Sequence, residues 1–167
     1  RIVYGSDVGY RQSGALLGMD GAATLGVQTR VDDARVRLGT QQQRARLGTT
    51  SDSDILEASY SPYLKLEFQP TPWMRVNGGS RADLFTFDVR NRCATCAQQP
   101  NGKTEATIAS TKGNLILGPW AGTELFVNVG TGFHSNDARA VVSNPAVQTL
   151  PRATAYEVGV RTKQWDR

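Results

Sequence analysis

EASYSPYLKLEFQ (57–69) alternates so regularly that it decides the fold class. Ala58, Tyr60, Leu64, Leu66 and Phe68 fall on one side of an extended chain. Glu57, Ser59, Ser61, Lys65, Glu67 and Gln69, joined by Tyr63, fall on the other. Successive side chains of a strand point to opposite faces, so a period of two describes a strand with one apolar and one polar face. A helix needs apolar residues three and four apart, and that spacing is scarce along this chain.

The same alternation recurs on both sides of this stretch. From Ala22 to Val31, the residues Ala23, Leu25, Val27, Thr29 and Val31 oppose Thr24, Gly26, Gln28 and Arg30. Beyond Asp32 and Asp33 the apolar set moves to Ala34, Val36 and Leu38, a change of phase that predicts a β-bulge near the two aspartates. From Trp73 onward, Met74, Val76, Ala82 and Leu84 oppose Arg75, Asn77, Arg81 and Asp83. Within Glu105 to Gly118, Leu115 and Leu117 oppose Lys112, Asn114 and Ile116. Leu125, Val127, Val129 and Phe133 oppose Asn128, Gly130, Gly132 and His134. Tyr156, Val158 and Val160 oppose Glu157, Gly159 and Arg161, and the stretch before Gly14 reads as one further strand, cut at its start.

Composition limits the function classes. The 167 residues are 39% hydrophobic, include 17 glycines, and carry a net charge of +4. That hydrophobic share is low for a globular core, yet charge is too modest for a disordered chain. The arginines alternate with apolar residues instead of forming one basic run, which argues against a nucleic-acid partner. No apolar run approaches the ~18–20 residues of a membrane-spanning helix. The opening RIVYGSDVGY lacks the charged start and apolar stretch of a signal peptide.

Connections alternate in length. Short ones are expected at Pro70-Thr71-Pro72, around Pro119-Trp120 and around Leu17 to Gly21. Long polar ones are expected from about Gly39 to Asp54, Arg90 to Lys103 and Ser135 to Pro151. Short turns at one end and long loops at the other are the layout of outer-membrane barrels, and Trp73 and Trp120 at the short turns suit an interfacial aromatic girdle. A soluble β-sandwich also has strands with one apolar face. Two features favour the barrel: a polar face carrying Gly and charges of both signs, and strands longer than ten residues against a usual ~5–6.

At PTPWMRVNGGSRADLFTFDV (70–89) and ELFVNVGTGFHSNDARA (124–140) the chain resembles the C-terminal β-barrel of TonB-dependent outer-membrane receptors. Pro72, Trp73, Arg75, Arg81 and Asp83 match a family strand of the form P-x-x-W-x-R-x-x-x-G-x-R-x-D. Glu124 to Arg139 matches E-L-F/Y-x-N-x-G-x-G-F-x-S-N-D-x-R, and YEVGVRT (156–162) resembles a further strand. Ser110-Thr111-Lys112 departs from the family, which often has proline in its middle position. The resemblance runs from about Ala22 to Thr162. Receptors of this kind have about 22 strands around a plugged lumen, whereas this chain supplies about seven. It therefore resembles a fragment: residues 1–167 as part of one antiparallel transmembrane β-barrel, all-β, without the plug domain.

The resemblance implies a function. The intact receptor would sit in the outer membrane of a Gram-negative cell and take up a scarce, bulky nutrient, a ferric siderophore first among them. Movement of its own plug domain, driven through TonB, would admit the ligand. Partners are then membrane lipid, the plug, TonB and a small-molecule ligand such as a metal chelate. Lumen-facing residues expected to meet ligand or plug are Arg75, Arg81, Asp83, Asn128, His134, Asn136, Arg139, Glu157 and Arg161. For Asn136 and Arg139 the alternative role is to anchor the loop where the strand leaves the membrane.

No catalytic, cofactor or metal residue is assigned, and the chain is not read as an enzyme. His134 is the single histidine and has no carboxylate at a zinc-like spacing. A lipase-like barrel using Ser135 or Ser110 is the enzymatic alternative, but neither serine sits at a nucleophile elbow. A soluble β-sandwich binding module is the other. Cys93 and Cys96 form one C-x-x-C pair, too few for a Cys₄ zinc site. In a loop on an oxidising cell surface they are expected to form a small local disulfide, with half of an iron- or copper-related contact as the runner-up.

Overall fold

Alternation sustained over such lengths builds long strands. The computed structural model describes residues 1–16, 18–96 and 99–163. In chain order these form β1 (Ile2–Leu16), β2 (Met19–Gln42), β3 (Ala45–Thr71), β4 (Met74–Asn91), β5 (Gly102–Trp120), β6 (Thr123–Phe133), α1 (Ala138–Ser143) and β7 (Arg152–Thr162). Each strand pairs with the next, antiparallel, in a single seven-stranded sheet ordered β1 to β7. The expected all-β class and strand number hold. The sheet is open, with β1 and β7 as its edges.

Register sorts the side chains onto two faces. Leu25 pairs with Tyr10 and Leu64, Met74 with Leu117, and Val127 with Leu115 and Val158. These residues form one continuous apolar face, and much of it is uncovered: Val8 is 71% exposed, Leu25 64% and Tyr156 79%. On this same face the chemistry changes abruptly toward the long-loop end. Asp33, Leu56, Asp88 and Lys103 share one level, followed by Arg35, Asp54 and Arg90. At the short-turn end Trp73 and Trp120 stand with ring centroids 6.3 Å apart.

The expected bulge at Asp32 and Asp33 is absent. Pairing from Asp20↔Gln69 to Leu38↔Ser51 is unbroken, and the register shifts only at Leu38/Gly39 and Thr40/Gln41. What looked like a change of backbone phase is a change of chemistry, because the apolar face turns charged at Arg35 and Arg37. The long loop expected from Gly39 to Asp54 is also corrected. β2 and β3 continue through that stretch and turn at Gln43 and Arg44, with φ of 49° and 66°. Such a turn fits the right-handed twist of a hairpin, though Gln and Arg are not its usual residues. Both faces of this projecting hairpin are polar, so it lacks the alternation that would mark it. The short turns fall at 72–73 and 121–122, and the one expected from Leu17 involves a residue outside those described, followed by Gly18 at φ 80°.

Ion pairs hold the projecting hairpin. Asp52 is buried and accepts from Nε and Nη2 of Arg35, each at 2.8 Å, and from Nε of Arg37 at 2.9 Å. These arginines hold its carboxyl well below the usual carboxylate range. Folding therefore favours the ionised form. Its contribution is complete above the ordinary aspartate pKa of ~3.9 and is lost as pH falls toward the depressed folded value. Amide exchange in 36–52, corrected for intrinsic rate, is expected to accelerate below pH ~4. In Asp52→Asn it should already be fast at neutral pH and lack that acid dependence; an unchanged Asp52→Asn profile would refute the assignment.

The polar face is not polar throughout. Near the long-loop end it carries Phe87 and Val89, 1% and 0% exposed, with Ile108, Ile55, Phe85 and Ala106. The segment 134–151 folds back over them, and Ala138 and Val141 of α1, with Leu150, complete this small core. Phe133, expected on the apolar face, joins it instead, edge-on to Phe85 at 5.7 Å. The pairing of β6 with β5 ends just before it. The β5–β6 ladder ends at Lys112↔Gly130, and the Thr131 hydroxyl accepts from the Thr111 backbone N–H at 2.9 Å. Phe133 thus lies beyond the β5–β6 ladder, while β6 stays paired with β7 through Phe133↔Arg152.

Candidate functional site

Between that cap and the short turns, the polar face is a lattice of cross-strand contacts. Nearest the short turns, Glu124 accepts from Arg75 on β4 and from Arg161 on β7, the latter through Nε at 3.0 Å. The next level is an amide ladder. Asn77 donates to Asn114 at 3.1 Å, Asn114 to Asn128, and Asn128 to Glu157 at 2.7 Å. Glu67, level with Asn77, accepts from Nη1 and Nη2 of Arg11 at 2.6 and 2.7 Å. Polar contacts thus extend from β1 to β7.

Above the ladder lie Lys65, Gly79, Lys112 and Gly130, direct neighbours across β3 to β6. Tyr63 and Arg81 follow. Arg81 pairs with Asp83 at 3.0 Å and donates to Gln28 at 3.1 Å, and Asp83 is 1% exposed. Tyr63 lies flat over β2 because Gly26 has no side chain; a Cβ there would stand 2.4 Å from the ring. Its hydroxyl donates to Asp7 at 3.0 Å, and Gln28 donates to the same carboxylate at 2.8 Å. Gly26→Ala is expected to displace the ring, break the contact with Asp7 and destabilise the fold by about 1–3 kcal/mol, the usual effect of overpacking. The same variant combined with Tyr63→Ala should recover part of that loss in a denaturant titration; no recovery would refute the seat.

Six of the sequence-predicted site residues, Arg75, Arg81, Asp83, Asn128, Glu157 and Arg161, share this face. His134, Asn136 and Arg139 belong to the capping segment. His134 is exposed and lines a hollow with Glu57, Ser59, Phe85, Phe133 and Ser135. Asn136 closes the segment on itself, its backbone N–H donating to Thr149 and its side chain to Gln148 at 2.6 Å. Asp137 caps α1 by accepting from the Arg139 backbone N–H at 2.9 Å and pairs with the Arg139 guanidinium at 2.6 Å. That guanidinium holds the Asp137 carboxyl below its ordinary range. Asn136 and Arg139 are thus engaged in building the loop.

Cys93 and Cys96 form a disulfide, Cα atoms 5.4 Å apart, in the β4–β5 loop. That loop leans on the β2–β3 hairpin: the Arg92 backbone N–H donates to the Asp52 carbonyl at 2.8 Å, and its guanidinium pairs with Asp54 at 2.5 Å. Among the described residues, no three His, Cys, Asp or Glu side chains converge as a metal site would require. Sequence reasoning missed Arg11 and Asn114 as members of the lattice. Their signal is cross-strand adjacency, which requires the register. Comparison of the chain with protein-family models and with curated proteins gives no match in either case.

Proposed function

We propose that this sheet is part of the wall of an outer-membrane β-barrel, its apolar face in lipid and its polar face lining the lumen. The barrel would be that of a TonB-dependent receptor taking up a bulky nutrient, with a ferric siderophore as the leading ligand. The observation that carries the membrane reading is the bounded apolar band. On β4 the band runs from Met74 to Leu84 before Asp88 and Arg90 replace it. About ten residue steps at ~3.4 Å, tilted ~45°, span ~24 Å, against ~25 Å for the apolar band of an outer-membrane barrel. Tryptophans at one margin and a charge row at the other fit the two interfaces of a membrane.

The receptor class rests on the motifs through Trp73, Arg75, Arg81 and Asp83 and through Glu124 to Arg139. In this reading the charged lattice of the polar face holds the plug domain, TonB supplies the driving force, and no residue performs catalysis. The test is fractionation of the intact protein. It should sediment with outer membranes and, after detergent extraction, migrate differently on gels with and without heating. A protein recovered in the soluble fraction, with mobility indifferent to heat, overturns the proposal.

A further inference from the structure

The chain contains two Asn-Gly steps, Asn77–Gly78 and Asn101–Gly102. The side-chain amide of an asparagine can be attacked by the backbone nitrogen of the next residue, which closes a five-membered succinimide ring and expels ammonia. Glycine leaves that nitrogen least hindered, because it has no side chain. The ring nitrogen keeps no hydrogen, so closure removes a backbone donor, as proline does. The place of each step in the sheet decides whether that loss is tolerated.

Asn77–Gly78 lies inside β4. Gly78 is paired on both sides, with Leu66 on β3 and Gly113 on β5, so its N–H has a ladder partner to lose. The Asn77 amide is tied as well, donating to Asn114 at 3.1 Å. Asn101–Gly102 lies instead at the end of a ladder. Asn101 is exposed and precedes β5, and Gly102 is the first residue of that strand, paired with Val89 on β4. A residue without an N–H is tolerated at the first position of a strand. The Asn91 backbone N–H donates to the Asn101 side-chain carbonyl at 3.2 Å, onto the oxygen that gains negative charge as the Gly102 nitrogen attacks. The fold also keeps the glycine in place: its φ is 152°, and a Cβ there would stand 3.3 Å from Val142.

We propose that Asn101 is a modification site, at which the folded protein deamidates through a succinimide closed with Gly102. The Gly102 nitrogen bonds to Cγ of Asn101 and gives up its proton, and the amide nitrogen departs as ammonia. Water then opens the ring at either carbonyl, leaving aspartate or isoaspartate at position 101. Isoaspartate adds one methylene to the main chain and moves the acceptor away from Asn91, at the neck of the loop that holds the Cys93–Cys96 disulfide.

The test is incubation of the purified intact protein at mildly alkaline pH in heavy-oxygen water, followed by mass spectrometry of the tryptic peptides 93–103 and 76–81. Peptide 93–103 is expected to gain labelled oxygen at position 101, as a mixture of aspartate and isoaspartate. It should do so about tenfold faster than peptide 76–81 at position 77, the weight of one ladder hydrogen bond. Asn101→Gln should abolish the signal, because its longer side chain would have to close a larger ring. Unfolding in denaturant should bring the two rates together. No conversion at 101 in the folded protein, or aspartate without isoaspartate, overturns the proposal. Equal rates at 77 and 101 in the folded protein, or a difference that persists in denaturant, overturns the role of the sheet.

Discussion

Leu64→Arg is expected to destabilise the membrane-inserted protein by about 2–4 kcal/mol, the effect of an arginine near the middle of the lipid-facing side of a barrel. Leu64 lies on β3 four residues from Phe68 and eight from Leu56, flanked by Leu25 and Ser80, and is 40% exposed. Exposure of that size would make the substitution nearly neutral in water, within about 0.5 kcal/mol. The solvent on that face therefore decides the outcome. Lys65→Arg, one residue along and on the opposite face, keeps its charge on the polar face and is expected to stay within about 0.5 kcal/mol. Denaturant titrations in phospholipid vesicles would measure both. A Leu64→Arg protein as stable as its parent there would contradict burial in hydrocarbon.

Phe87→Ala is expected to release the cap. Phe87 is 1% exposed, stacks on Phe85 at a centroid distance of 5.8 Å, and belongs to the same cluster as Ala138, Val141 and Leu150. Truncating a buried phenylalanine removes about 3–5 kcal/mol. α1 has only six residues, too few to persist without packing. The loss should fall on 134–151, whose amides exchange faster and whose backbone becomes open to protease, while the β4–β5 ladder keeps its protection. Equal loss of protection in cap and ladder would mean that the two fold as one unit.

Much of the architecture was legible because the apolar face obeys a strict period of two. Leu125, Val127 and Val129, and likewise Val158 and Val160, sit where alternation puts them. The misreadings share one cause: alternation reports a face only while the environment of that face stays constant. At Asp33 and Arg35 it changes from apolar to charged, which mimics a bulge. From Gly39 to Asp54 both faces are polar, so the paired strands read as a loop. In LFTFDV (84–89) the apolar set changes face, because Leu84 looks outward with Thr86 and Asp88 while Phe85, Phe87 and Val89 support the cap. Ion pairs such as Arg11 with Glu67 and Arg75 with Glu124 join residues far apart in sequence, and only the pairing of strands brings them together.

The central claim is that the apolar face meets hydrocarbon while the charge row marks its margin. Single cysteines at positions 64, 84 and 127, and at 90 and 103, can each carry a nitroxide label on the Cys93→Ser/Cys96→Ser background in phospholipid vesicles. Labels at 64, 84 and 127 are predicted to collide with oxygen far more than with a polar nickel chelate, and labels at 90 and 103 to show the reverse. Nickel accessibility at 64, 84 and 127 equal to that at 90 and 103 would contradict the account.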